Sequence, residues 1–158
     1  MYRIGYGYDI HKLAANRPFV LGGVTIPFEK GPVGHSDADV LLHAVCDALL
    51  GALALGDIGR HFPDTDVKFK DISSIALLRQ CHTLILSRGY TVVNIDSTVI
   101  LQAPKIAPFV EQMSQNIASV TGLQAHEVSV KATTAEGLGF VGAGDGVIAH
   151  ATTLLRKK

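Results

Sequence analysis

Asp9 and His11 stand two residues apart near the start of the chain, in Ile4-Gly5-Tyr6-Gly7-Tyr8-Asp9-Ile10-His11. That segment reads as a strand, and alternate strand residues share a face, so a carboxylate and an imidazole project side by side. His43 follows in Gly34-His35-Ser36-Asp37-Ala38-Asp39-Val40-Leu41-Leu42-His43, which reads as a turn opening a helix. If that helix packs on the strand, two imidazoles and one carboxylate meet. Such a set suits Zn²⁺, and three protein ligands leave one position open for chemistry. Asp39 and Asp47 lie one helical turn to either side of His43, so either could accept the second N–H of a metal-bound imidazole. The blander alternative is a buried, salt-linked histidine on an apolar helix, because D-x-H with a distant His is not a specific signature. Cys46 could add a fourth ligand and close the site, although a small thiol on an apolar helix is more often core.

Other chemistry-bearing stretches are weaker. Thr133-Thr134-Ala135-Glu136 has capping-box spacing, but the Gly137-Leu138-Gly139 that follows is a poor helix. Hydroxyls and a carboxylate at a strand end could instead meet phosphate oxygens and a hard divalent cation. Gly137-Leu138-Gly139-Phe140-Val141-Gly142 matches GxGxxG, yet strand-like residues follow it and too little chain remains for a dinucleotide unit. Lys105 reads as a solvated charge from pattern alone. His82, His126 and His150 have no suggestive neighbours and read as structural.

The elements that must position these groups are legible in outline. Strands are expected over 2–10, Phe19–Leu21 and Val24–Ile26, the last two joined by a Gly22-Gly23 turn. A loop over 27–34 leads to an N-cap at Ser36 or Asp37 and a helix over 39–55, apolar nearly all round and stopped by Gly56. A polar loop spans 57–66. Helices over 73–88 and 106–120, closed by Gly89 and Gly122, flank a strand over 91–101. Strands over 127–133 and 147–155 bracket a glycine-rich loop. Helices and strands without strict alternation predict an α+β fold, a sheet with helices on one side. At 158 residues the chain is expected to be one domain over 1–158.

Charge balances at 14 against 14, so nothing suggests nucleic-acid or anionic-membrane binding. Charged residues are only 18% against 47% hydrophobic, which favours an oligomer that buries part of its surface. The start carries no signal-like apolar core, and the apolar run over 40–56 is too short to span a bilayer. The two cysteines, Cys46 and Cys81, form no CxxC and read as free thiols of a cytoplasmic protein.

Taken in order, Gly7-Tyr8-Asp9-Ile10-His11, Gly34-His35-Ser36-Asp37-Ala38-Asp39, Asp47-Ala48-Leu49-Leu50-Gly51-Ala52, Leu55-Gly56-Asp57-Ile58-Gly59, Phe62-Pro63-Asp64-Thr65-Asp66, Gln102-Ala103-Pro104-Lys105 and Val130-Lys131-Ala132-Thr133-Thr134 span essentially the whole chain. Together they resemble the 2-C-methyl-D-erythritol 2,4-cyclodiphosphate synthase family of the non-mevalonate isoprenoid pathway. The resemblance implies a cyclase in which the 2-phosphate of 4-diphosphocytidyl-2-C-methyl-D-erythritol 2-phosphate attacks the β-phosphorus and releases CMP. It implies Zn²⁺ on Asp9, His11 and His43, and a second divalent cation, Mg²⁺ or Mn²⁺, on Glu136. His35 and Thr134 match the groups that stabilise the transition state. Ser36 would hold substrate phosphate. Asp57, Ile58 and Gly59 with Phe62, Pro63, Asp64, Thr65 and Asp66 would hold the methylerythritol part. Leu101, Gln102, Ala103, Pro104, Lys105, Ile106 and Ala107 would form the cytidine pocket, with Lys105 and Thr133 facing the diphosphate and Phe140 also on substrate. The family fold is a two-layer, four-stranded type of mixed sheet, with the sheets facing inward in a homotrimer and active sites between subunits. Two positions depart from the family: Ala143 stands where an arginine is common, and Ala135 where a polar residue is common. In some members that arginine lines the mouth of a central channel where an isoprenoid diphosphate can sit.

Two rival readings follow from the residues. A zinc hydrolase would activate water, with Asp37 or Asp39 as base, and give a linear product. A non-catalytic, metal-stabilised binding protein would recruit Cys46 into a closed four-ligand site.

Overall fold

The computed structural model describes residues 1–63 and 65–158. Strand β1, Tyr2–Ala15, carries two rows of side chains that follow the strand's two-residue period. Gly5, Gly7, Asp9, His11 and Leu13 form one row, and Ile4, Tyr6, Tyr8 and Ile10 the exposed other. Helix α1, Val40–Ala52, lies directly on the first row. A Cβ on Gly5 would sit 1.8 Å from the Ala48 carbonyl oxygen, and one on Gly7 1.9 Å from that of Ala44. Glycine is therefore required at both positions by close backbone approach. Two strand residues advance about 6.6 Å and four helix residues about 6.0 Å, so the Gly5/Ala48 and Gly7/Ala44 steps stay in register. One further step brings Asp9 beside the first turns of α1, where His43 stands.

Five strands form one mixed sheet in the order β4-β1-β7-β5-β6. Strand β7, Gly146–Lys157, runs antiparallel to β1 and to β5, Tyr90–Ile100, which pairs in parallel with β6, Val128–Thr133. The fifth strand, β4, Lys30–Pro32, pairs with Leu13–Ala15. It corrects both the four-stranded expectation and the loop expected over 27–34, and it explains why β1 outruns the 2–10 span. Lys30-Gly31-Pro32 has no strand signal. It pairs because Gly31 has no side chain to strike the Pro18 carbonyl oxygen, 2.1 Å from where its Cβ would lie. Strands β2, Phe19–Leu21, and β3, Val24–Ile26, form the expected hairpin, with φ of 57° and 72° at Gly22 and Gly23.

The N-cap of α1 is Asp39, not Ser36 or Asp37. Its carboxylate accepts from Leu42 N at 3.1 Å and from the hairpin amides of Gly22 and Gly23 at 3.0 and 2.7 Å. One side chain thus caps the helix and ties the hairpin to it. The helix ends three residues before the expected 55, because Ala54 turns to a φ of 55° ahead of Gly56 at 89°.

A one-turn helix, α2, Ile58–His61, and a 3₁₀ turn, Val67–Phe69, lie in and beside the expected polar loop. Helices α3, Ser74–Ser87, and α4, Val110–Thr121, follow, α4 beginning late because a 3₁₀ turn at Ala107–Phe109 contains Pro108. A last single turn, α5, Gly139–Gly142, interrupts the glycine-rich loop before β7, so GxGxxG opens no nucleotide-binding helix. Buried residues of α1, α3, α4 and the four long strands join in one hydrophobic cluster. Among the described residues no helix is long and apolar enough to cross a membrane.

Candidate active site

Asp9 and His11 project from the helix-facing row of β1 and meet His43 on α1. The Asp9 Oδ2 lies 3.0 Å from both His11 Nε2 and His43 Nδ1, and these two nitrogens are 3.2 Å apart. Ligand atoms about 2.0–2.1 Å from a tetrahedral zinc lie roughly 3.3 Å from one another, so the three atoms already have the spacing of three corners of such a site. His11 Nδ1–H donates to the Val33 carbonyl at 2.8 Å, which turns Nε2 toward the cluster. Gly34 makes room for that ring, since its Cβ would sit 3.0 Å from His11 Cε1.

Electrostatics agree with the geometry. Burial on its own would raise the Asp9 pKa, but hydrogen bonds and charge from His11 and His43 outweigh it and hold the carboxyl at about 2. For His11, burial disfavours the cation, yet Asp9 and the Val33 carbonyl leave its pKa raised. The cluster therefore keeps its carboxylate ionised and ready for a cation.

The expected carboxylate partners of His43 do not reach it. Asp39 is consumed by its three amides, and Asp47 accepts from Ile58 N at 2.8 Å. His43 Nε2 faces two serines instead, Ser74 Oγ at 2.9 Å and Ser36 Oγ at 3.1 Å. Ser74 in turn donates a short hydrogen bond to Asp37, which also accepts from Ser74 N at 2.9 Å and Asp39 N at 3.2 Å. Ser74 was invisible to local spacing. A serine at the start of α3 reads as a cap, but Ser73 makes no capping bond and Asp37 takes the first amide of the helix. Cys46 is fully buried beside Cys81 and stands outside the cluster. The Cys81 contact and burial both push its thiol pKa up, the opposite of what a thiolate ligand needs.

A cavity of about 450 Å³ opens on Asp9, His11 and His43 and is lined further by Gly34, His35, Ser36, Ile58, Gly59, Phe62 and Pro63. Phe69, Ile72 and Leu77 complete its wall and were not anticipated. Among the described residues, His35 Nε2 is buried with no hydrogen-bond partner. Asp57 does not line this cavity; it caps α2 by accepting from Arg60 N at 2.9 Å. Asp66 caps the following 3₁₀ turn and pairs with Lys68 at 3.0 Å, and it and Thr65 also lie off the wall. Asp64 lies outside the described residues.

The remaining expected residues gather elsewhere. Leu101, Gln102, Pro104, Lys105, Ile106 and Ala107 line a second cavity of about 380 Å³ with Ala132, Thr133 and Thr134. Ala103 is off its wall and precedes Pro104 through a cis peptide bond. Thr134 Oγ1 donates to Glu136 Oε1 at 2.7 Å, and Glu136 itself adopts a φ of 53°. Phe140 lines a third cavity of about 480 Å³ with Ile10, His11, Lys12, Asp145 and Gly146. The first and second cavities share no residue among those described, so one chain holds the expected constellation in separate parts. Ala143 ends α5, and the Lys30 ammonium bonds the neighbouring Gly144 carbonyl at 3.1 Å.

The model of the YgbB family matches residues 2–156. The chain belongs to the YgbB family. A 2-C-methyl-D-erythritol 2,4-cyclodiphosphate synthase of Syntrophomonas wolfei subsp. wolfei is 57% identical over 98% of this chain and 99% of its own. Among solved structures of the YgbB fold, the bifunctional IspDF of Campylobacter jejuni superposes with a TM-score of 0.96 at 42% identity, covering 100% of this chain. This chain spans 43% of that bifunctional protein's length. The IspF–CDP complex of Plasmodium falciparum matches with a TM-score of 0.87 at 36% identity, over 99% of this chain and 97% of that one.

Proposed function

We propose that this YgbB family member converts 4-diphosphocytidyl-2-C-methyl-D-erythritol 2-phosphate to 2-C-methyl-D-erythritol 2,4-cyclodiphosphate and CMP, as a homotrimer whose active sites lie between subunits. The convergence of Asp9, His11 and His43 at the mouth of a cavity, in a chain this similar to cyclodiphosphate synthases, carries the reading.

An oxygen of the 2-phosphate bonds to the β-phosphorus. The bond from that phosphorus to the bridging oxygen breaks, and its electron pair leaves with CMP. The nucleophile is already an anion, so the chain needs no strong base. It must hold two phosphates in line and offset their charge. Asp9, His11 and His43 would hold Zn²⁺ and Glu136 a Mg²⁺ or Mn²⁺, which supply Lewis-acid neutralisation of phosphoryl oxygens when bound. His35 Nε2, unpartnered among the described residues, and the Thr134 hydroxyl, once turned from Glu136, donate to charge developing on phosphorus-bound oxygen. Ser36 steadies the 2-phosphate, and Ile58, Gly59, Phe62 and Pro63 enclose the methylerythritol part. The 101–107 segment takes the cytidine, with Lys105 and Thr133 toward the diphosphate; the CDP complex of the Plasmodium falciparum relative supports a nucleotide ligand.

Two observations support assembly. The β1 row pointing away from α1 leaves Ile4 and Tyr6 at 73% and 60% exposure, a face suited to burial against other copies. The nucleotide and metal cavities are also disjoint within one chain. Two buried free thiols suit a cytoplasmic setting.

The rivals lose their key residues. A hydrolase needs a free base, and the Asp37 and Asp39 carboxylates are already engaged by hydrogen bonds. A closed structural site needs Cys46, which stands outside the cluster. The test is ³¹P NMR of the protein with substrate, Zn²⁺ and Mg²⁺. Coupled cyclic-diphosphate resonances appearing with CMP support the cyclase, a linear monophosphate supports a hydrolase, and unchanged substrate refutes activity.

A further inference from the structure

We propose that Ser74, backed by Asp37, is a positioning residue that keeps the proton of His43 on Nε2 and so presents Nδ1 to the metal. The inference rests on the three-residue metal site described above.

The argument is one of donors and acceptors. An ionised carboxylate only accepts, so the short bond between Ser74 Oγ and Asp37 Oδ1 uses the serine hydrogen. Ser74 Oγ then has only lone pairs to offer His43 Nε2, 2.9 Å away, and the bond between them requires Nε2–H. Nδ1 faces Asp9 and His11; the ionised Asp9 carboxylate accepts a hydrogen bond from it in the metal-free protein, and a cation at Asp9 would displace that proton rather than the one held on Nε2. Ser36 pulls the other way. Its Oγ accepts from Ala38 N at 3.2 Å, which leaves its own hydrogen free to donate to Nε2 at 3.1 Å. That bond would put the proton on Nδ1 and remove it as a ligand. Ser74 decides the contest because it is fully buried and its partner is fixed. Asp37 is held by the amides of Ser74 and Asp39, and its own N–H bonds the Ile72 carbonyl at 3.2 Å. The second imidazole is set by the Val33 carbonyl, so the two rings receive opposite tautomers from two unrelated acceptors.

The test measures zinc affinity by chelator competition in the full-length wild type and in Ser74→Ala, Asp37→Asn and Ser36→Ala. Loss of such a partner weakens metal binding roughly ten- to a hundredfold. That loss is expected for Ser74→Ala and for Asp37→Asn, whose amide can donate to Ser74 Oγ and reverse the chain. Ser36→Ala should bind zinc at least as tightly as the wild type. Equal affinity in Ser74→Ala and the wild type overturns the proposal. A second measurement needs no variant: with ¹¹³Cd and ¹⁵N-histidine, metal–nitrogen coupling should fall on Nδ1 of His43 and Nε2 of His11. Coupling at His43 Nε2 overturns the proposal even if every variant misfolds. A protein that shows these couplings yet makes no cyclic product would sink only the cyclase reading.

Discussion

Gly7 lies so close to Ala44 that a methyl group on it would stand 1.9 Å from the Ala44 carbonyl oxygen. His43 precedes Ala44 on the same helix, so the spacing of Asp9, His11 and His43 is set by a contact that contains none of the three. Gly7→Ala must push α1 off β1. Overpacking of this kind costs about 1–3 kcal/mol. The expected outcome is a lowered melting temperature together with weakened zinc binding, read by calorimetry and chelator competition. A variant that loses stability but binds zinc normally would show that His43 is held by something other than helix–strand approach.

His35 offers a buried nitrogen with no partner among the described residues. Removing one donor aimed at a developing oxyanion typically costs about 10²–10³-fold in kcat. His35→Ala is expected to lose that much in CMP release with its zinc content intact. A rise in KM at unchanged kcat would assign His35 to ground-state binding instead.

Cys46 sits in the core, fully buried. Cys46→Ser puts an unpaired hydroxyl there, at a cost of about 1–3 kcal/mol. The melting temperature should fall while kcat per folded molecule stays the same. Chelation should likewise abolish turnover and leave the far-UV circular dichroism in place, because the core is apolar rather than metal-stapled. Unfolding on chelation would revive the structural-metal reading.

His82, half-buried on α3, is kept from protonating chiefly by burial, which lowers its pKa below the usual 6.5. The unfolded chain binds a proton there before the folded one does. His82 therefore contributes stability above pH 6.5 that is lost as pH falls through its lower folded value. Replacing it by Gln should flatten the decline of melting temperature between pH 7 and 5 relative to wild type. An unchanged slope would remove His82 from the acid response.

The ligand set was legible because each signal was local: two residues on one strand face and a histidine on an apolar helix. What surrounds it was not. Asp39 and Asp47 have the right helical spacing from His43, yet backbone amides claim both. Ser74, which does reach His43, is 31 positions away, and no periodicity records such a distance. The fifth strand was missed for a related reason: Lys30-Gly31-Pro32 is extended by what it packs against, not by its own preferences. The cap falling on Asp39 rather than on Ser36 or Asp37 is a case of one carboxylate serving two elements, which only the assembled fold reveals.

Parity governs β1. Its even-numbered residues Ile4, Tyr6, Tyr8 and Ile10 look outward, and its odd-numbered Gly5, Gly7, Asp9 and His11 look to the helix. Inserting or deleting a single residue between Ile4 and Asp9 would put one part of the strand out of phase with the other, either driving tyrosine rings into Ala44 and Ala48 or stranding Asp9 and His11 on the open face. The strand can therefore accept many substitutions on its outer row but no change of length.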